Sequence, residues 1–272
     1  MQNQITRYQV QNAVLKNYIR FFWMLRIDNA QLNHRLIPQR NINLRINLSD
    51  TPHYVSLNNQ KSRLEDVYFL GLQTSFTNSH LKLDGNVNIL GICFKEYGVY
   101  PFLKTPVSEY KNLIVGADEI GFKAAKKISE RLKEASDTEN RLAILESELL
   151  SLLNDSYVVP ASFHSIFNAL KREKSLQLND FCQKNNISIR QLERMYVKYV
   201  GLPAISYNAL NRFHISVNQL LNTKFSKFSD LAYDNEYYDQ MHFIREFKRF
   251  TGYTPRMFVK KNNSILQIGK MV

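Results

Sequence analysis

Residues 239–255, DQMHFIREFKRFTGYTP, are the stretch on which the reading of this chain turns. Phe243 and Phe247 lie four residues apart and share one face of a helix, while Arg245, Lys248 and Arg249 fall around the other. Gly252 stops that helix and Pro255 closes it off. A short, firmly capped helix with a basic outer face suits the major groove of DNA.

Working upstream, residues 228–234 predict a short helix and a turn around Asn235, so that 228–251 form a helix, a tight turn and a second helix. Residues 203–222 predict a nearly continuous helix with Tyr207, Leu210, Phe213, Val217 and Leu220 on one side. Its length of roughly 30 Å at 1.5 Å per residue approaches the roughly 34 Å of one DNA turn. Before it, residues 176–185 read as a helix with Leu178, Phe181 and Cys182 inward, and Asn186-Ile187 as a turn. Ser188 then caps a helix that runs to Val200 and ends at Gly201. Leu192, Met195, Tyr196 and Tyr199 form its inner face, leaving Arg190, Gln191, Glu193, Arg194 and Lys198 outside.

The pattern D-Q-x-H-F-x-R-x-F-K-R-x-x-G-x-x-P, with both helix-turn-helix units and their linker over residues 172–262, resembles the DNA-binding domain of AraC/XylS-type transcription regulators. One departure is Asn235, where the family usually carries Gly; Asn tolerates a left-handed backbone better than most residues. The resemblance implies that Arg190, Glu193 and Arg194 of the first unit, and Gln240, His242 and Arg245 of the second, face base edges. Arg suits guanine, Gln adenine and Glu the cytosine amino group. Lys198, Lys224, Lys227, Lys248 and Arg249, at helix ends and flanks, are expected on phosphate, where contacts position without reading sequence.

The N-terminal half is patterned differently. Up to residue 115 the chain shows short β-like segments at 18–27, 44–48, 67–73 and 87–94, punctuated by Pro38, Pro52, Asp84-Gly85 and Gly98. Within residues 88–115, a G-x-x-F-x-x-x-G strand-turn (Gly91, Phe94, Gly98) precedes a P-x-x-E pair, Pro106 and Glu109. This segment resembles a β-rich domain attached to some AraC-type regulators, which implies effector sensing or pairing. Phe21, Phe22, Trp23, Tyr68, Phe69, Phe76, Phe94 and Tyr100 could enclose an apolar cavity or simply form core. Residues 118–133 and 138–153 then predict helices, and 154–160 a break. In the second of these helices Leu142, Leu145, Leu149 and Leu152 form one stripe, which suits either pairing with a second copy, as a dimer seam, or packing on its own domain.

Composition agrees with a polyanionic partner. The chain has 272 residues, long enough for two domains, and a net charge of +12. Residues 174–261 hold 14 Lys and Arg against 7 Asp and Glu, more than half of the excess. Residues 1–20 lack a signal-peptide core and the apolar run 21–25 is too short to span a bilayer, so a cytoplasmic protein with no membrane partner is expected. Cys93 and Cys182 fall in different domains and read as small buried apolar residues. The nine glycines form no phosphate loop and the six histidines no metalloprotease pairing, so no metal, cofactor or enzymatic activity is expected.

The expected fold is α+β: a β-rich sensor or pairing domain (1–115), a helical connecting segment (116–170) and an all-α double helix-turn-helix domain (171–272). The expected function is a sequence-specific regulator that binds double-stranded DNA. The resemblance also implies a small-molecule effector of unknown identity, a homodimer and contact with RNA polymerase. A non-specific or architectural nucleic-acid-binding protein, or a small-molecule-binding protein whose C-terminal module reads no DNA, fit the same composition.

Overall fold

In residues 19–25 every side chain from Phe21 to Leu25 is large and apolar, which in a strand requires a core on both sides. The computed structural model describes residues 4–260 except 58, 75, 77–78, 154–156, 173–176 and 223–226, and it supplies those two cores. Among the described residues the N-terminal domain is an antiparallel sheet. Its strands are β1 (Gln4–Tyr8), β2 (Ile19–Arg35), β3 (Asn43–Asn47), β4 (Tyr54–Leu57), β5 (Gln60–Arg63), β6 (Val67–Leu70), β7 (Ser79–Phe94) and β8 (Ile114–Gly116). They run in the order β1-β2-β7-β3-β6-β8, and β4 pairs with both β7 and β5. The long β2/β7 ribbon carries an irregularity between Ile27 and Ala30, where Asn29 takes φ 52° and Gly85 opposite takes φ 79°.

Strand alternation divides the aromatic residues between the two faces. Phe21, Trp23, Leu25, Tyr68 and Leu70 point into one core; Phe22, Met24, Leu44, Phe69 and Phe94 point into the other. Of the two readings of these aromatics, cavity or core, the structure has them divided between two cores, because neighbours in a strand face opposite ways. Trp23 lies across its register partner Gly91, where an added Cβ would come within 1.9 Å of the indole, so that position admits no side chain.

Buried residues of the first helices join the core on the second face; the helices are α1 (Tyr100–Leu103), α2 (Ala125–Glu134), α3 (Thr138–Leu152), α4 (Ala161–Arg172), α5 (Leu178–Lys184), α6 (Ile189–Tyr199), α7 (Ala204–Asn222), α8 (Phe228–Asp234), α9 (Gln240–Thr251) and α10 (Pro255–Lys260). The expected helix 118–133 begins only at Ala125, after a turn in which Gly121 adopts φ 73°. Helix α3 follows its prediction and starts on Asp137, whose carboxylate accepts from the Asn140 N–H at 2.8 Å. Its leucine stripe faces inward. Leu145 and Leu149 are fully buried and Leu142 and Leu152 pack beside them, while Glu148, also buried, pairs with Lys127 and Arg131 of α2. The dimer-seam reading is corrected accordingly, since the chain's own core covers the stripe.

The expected boundary at 170/171 falls inside α4. Phe163 and Phe167 of that helix touch Tyr196 of α6 at ring separations of 5.5 and 5.7 Å, and Tyr97 of the N-terminal domain at 5.9 and 5.2 Å. The connecting segment is thus a shared wall of both units. Cys93 and Cys182 are buried thiols without a disulfide. Among the described residues, no helix is long and apolar enough to cross a membrane.

Candidate nucleic-acid interface

Two capped helices on a common linker form the site. Ser188 accepts from the Gln191 N–H at 3.1 Å, and the Gln191 side chain accepts from the Ser188 N–H at 3.0 Å, which starts α6 with a reciprocal cap. Asp239 accepts from the His242 N–H at 2.6 Å and starts α9 in the same way. Helix α9 ends at Gly252, φ 72°, as the sequence required.

The two turns repeat one construction. Asn185 and Asn235 each donate through the side-chain amide to the carbonyl four residues back, Phe181 at 2.9 Å and Leu231 at 2.8 Å. The next residue in each turn takes the left-handed backbone: Asn186 at φ 49° and Glu236 at φ 59°. Asn235 itself stays at φ −105°, so the strained position expected there lies one residue later, and Asn235 serves instead as a helix-end cap.

The linker helix α7 holds the frame. Its 19 residues span about 28 Å. Glu193 of α6 accepts from the Ala204 N–H at 3.0 Å and so caps the start of α7. Phe213 packs on Phe247 and Phe250 of α9 at 5.3 and 4.7 Å. Arg212 grips the buried Glu246 of α9 through two contacts of 3.1 Å. Sequence reading missed this pair. Its signal was Glu246 itself, three residues after Phe243 on the apolar stripe, where a carboxylate requires a cation.

The expected contact residues separate into two groups. Arg190, Arg194, Gln240, Arg245 and Lys248 are exposed, and no partner is found for Arg190, Arg194, Arg245 and Lys248 among the described residues. With the helix caps aligned, Arg194 and Arg245 occupy equivalent positions six residues beyond Ser188 and Asp239. The others are engaged. Glu193 is committed to α7, so its expected role at cytosine is not one its bonding favours. His242 turns onto its own chain, accepting from the Tyr238 N–H at 3.3 Å with its ring 5.4 Å from Tyr237. Lys198 lies 5.5 and 5.2 Å from the rings of Tyr100 and Tyr199, and Arg249 stacks 4.5 Å over Phe250. Lys227 is exposed at the start of α8, and Lys224 lies outside the described residues.

The N-terminal domain touches the C-terminal ends of both α6 and α9. Gly201, φ 92°, sits against Val107 and Leu72, and Tyr100 meets Tyr199 edge-on at 5.0 Å. At the other unit the Phe76 N–H donates to the Arg249 carbonyl at 2.9 Å, and the Phe76 ring lies over Gly252. Between them Arg40 donates to Asn211 at 2.5 Å. Glu96 accepts from Arg20 and from Lys171 of α4, both at 2.8 Å; burial opposes its ionisation, but the two cations outweigh burial and hold its carboxyl down at about 2.

Residues 181–261 match a family described as a helix-turn-helix domain, and residues 12–116 match a domain of unknown function (DUF6597). No curated protein matches the chain. Among solved structures, ToxT from Vibrio cholerae shares 12% identity, with 88% of this chain and 97% of that one covered and a TM-score of 0.46. An unsaturated-fatty-acid-bound ToxT from the same species gives 12% identity, 98% coverage of each chain and 0.46. The AraC-like transcriptional activator CuxR gives 9% identity, 78% and 84% coverage and 0.25. Residues 181–261 are thus a helix-turn-helix domain, built of two helix-turn-helix units joined by α7.

Proposed function

We propose that this chain binds double-stranded DNA in a sequence-specific manner, with α6 and α9 entering successive major grooves on one side of the duplex. The observation that carries the reading is the equivalence of Arg194 and Arg245: two exposed guanidinium groups, six residues beyond their helix caps, on helices fixed to one linker of about 28 Å. Arg190 and Gln240 flank them as further base readers, and Lys248 and Lys227 contact phosphate. The N-terminal domain, which packs on the ends of both reading helices, acts as the effector-sensing unit. ToxT, bound to an unsaturated fatty acid in one solved structure, offers a parallel for such a unit.

The test is selection of DNA fragments on the purified full chain, followed by affinities for selected and scrambled duplexes at one fixed salt concentration. Sequence-specific reading requires a ratio of roughly 10³ or more. Equal affinities would support an architectural binder instead.

A further inference from the structure

Arg45 lies at the centre of β3, registered against Tyr68 of β6 on one side and Gly91 of β7 on the other. Its side chain enters the core on the Trp23 face of the sheet, 5.5 Å from the indole ring, and is 1% exposed. Neither its Nε nor its Nη1 has a hydrogen-bond partner among the described residues. Among the described residues no carboxylate pairs with it; Asp66 is paired with Lys133 at 2.6 Å, and the guanidinium donates to the Tyr68 hydroxyl. The other polar groups of the cluster are neutral. The Tyr68 hydroxyl is buried 3.5 Å from His53 Nδ1, and His53 is driven down to about 4 by burial and then by Arg45. Asn43 Oδ1 accepts from the Trp23 indole at 3.4 Å.

A buried guanidinium with two unpaired nitrogens and no counter-charge costs several kcal/mol, unless an anion completes it. Arg45 also borders an enclosed cavity of about 10 Å³, large enough for one water-sized group. Gln39 and Gln73 line it beside Leu36, Leu70 and Ile114; the Gln39 amide nitrogen donates to the Ile37 carbonyl at 3.3 Å, so the Arg45 guanidinium is the donor left for an anion.

We propose that Arg45 anchors a binding site for a single monovalent anion of halide size inside the β-rich domain. The cavity excludes sugars and nucleotides by size, and its apolar walls favour single charge over double. The site deepens the effector reading and rests on it for regulatory meaning, although not for binding itself. Gln73 lies three residues before Phe76, whose N–H donates to the Arg249 carbonyl, so the segment bordering the cavity also ends on α9.

Trp23 is the only tryptophan of the chain, and its position beside Arg45 makes its emission a direct readout. The full chain is titrated with sodium chloride, acetate, butanoate and hexanoate, with sodium sulfate holding ionic strength constant, while emission and thermal midpoint are followed. A saturable emission change with a raised midpoint is expected for at least one monovalent anion. A response to chloride that weakens from acetate to hexanoate supports a halide-sized site; affinity that rises with acid chain length overturns it. Arg45→Met should abolish the response while keeping the fold, since an apolar side chain replaces an unpaired charge. Arg45→Lys should keep a weakened response. Absence of a saturable change with all four anions overturns the site, and so does an undiminished response in Arg45→Met. If Arg45→Met does not fold, the wild-type and Arg45→Lys titrations decide in its place. DNA affinity is measured separately at fixed salt, so an anion response without DNA binding counts against the DNA reading alone.

Discussion

Arg212 of α7 and Glu246 of α9 form a part-buried pair in which Nη2 reaches both carboxylate oxygens at 3.1 Å and Nε reaches one at 3.3 Å. Arg212 also lies 4.6 Å over the ring of Tyr237, in the turn before α9. Three elements are thereby fixed in one roll, which sets the direction of Arg245. Arg212→Ala leaves Glu246 buried without its main cation and should cost on the order of 2 to 3 kcal/mol in urea unfolding. Paired replacement of both residues by apolar ones should recover much of that loss. An Arg212→Ala protein as stable as wild type would show that the pair does not hold the helix.

Arg194→Ala or Arg245→Ala should each weaken a selected duplex by about 1 to 3 kcal/mol and relax base preference at positions about one helical turn apart. Lys248→Ala should weaken all sequences alike and reduce the salt slope by about one. Footprinting of the Arg245→Ala protein checks this, and an unchanged base preference would remove α9 as a reader.

The reading helices were legible because their caps are local. Ser188 and Asp239 mark the starts through their side-chain oxygens and Gly201 and Gly252 the ends through their backbone, and the structure places the helix ends beside them. Contacts across the chain were not legible. Glu193 stands on the outer face of α6 by periodicity, yet its carboxylate reaches the Ala204 N–H eleven residues on, which depends on the angle between α6 and α7. The strands β4 and β5 were invisible for another reason: β5 is exposed along its whole length and carries no apolar alternation. Arg45 was unmarked because a single Arg within a strand is commonly an edge residue, and only the register shows it enclosed on both sides.

Acid should destabilise the fold in two stages. Burial and then Arg40 push His214 down to about 3, and burial and then Arg45 push His53 to about 4, so both stay neutral in the folded state while the unfolded chain takes up protons below about 6.5. Depressed folded values mean that stability is lost as pH falls from 6.5, by about 2 kcal/mol per histidine at pH 5. Glu96, held at about 2, adds a further loss as pH falls from its ordinary 4.5 towards 2. Urea melts at pH 7.5, 5 and 3 measure both stages. Glu96→Gln should lower stability at pH 7.5 and flatten only the lower one; an equal slope between pH 5 and 3 would show that the Arg20 and Lys171 contacts do not govern it.

Gly252 needs both its left-handed backbone and its missing side chain, since an added Cβ would sit 3.1 Å from the Phe76 ring. Gly252→Ala should therefore cost about 1 to 2 kcal/mol, part from φ and part from the ring. In a Phe76→Ala background the steric part disappears, so the cost of Gly252→Ala should shrink. Additive losses in thermal melts of the double mutant would mean that Phe76 does not rest on the end of α9.

Helix α3 gives the sharpest choice between self-association and internal packing. Leu145 and Leu149 have no exposed surface, and α3 is tied to α2 through Glu148 with Lys127 and Arg131. Glu146 adds a second tie, accepting from the N–H groups of Gln11 and Asn12 at 2.6 and 3.0 Å. A seam between copies would keep its leucines accessible in the single chain, whereas these already lie in the core that joins the helices to the sheet. Leu145→Glu with Leu149→Glu would place two carboxylates in that core without cations, a loss beyond the 5 to 15 kcal/mol that about this size of chain has in reserve. The double mutant should lose its cooperative melt at any protein concentration. Light scattering and circular dichroism on the same sample test this: a folded monomer derived from a dimeric wild type would restore the seam between copies.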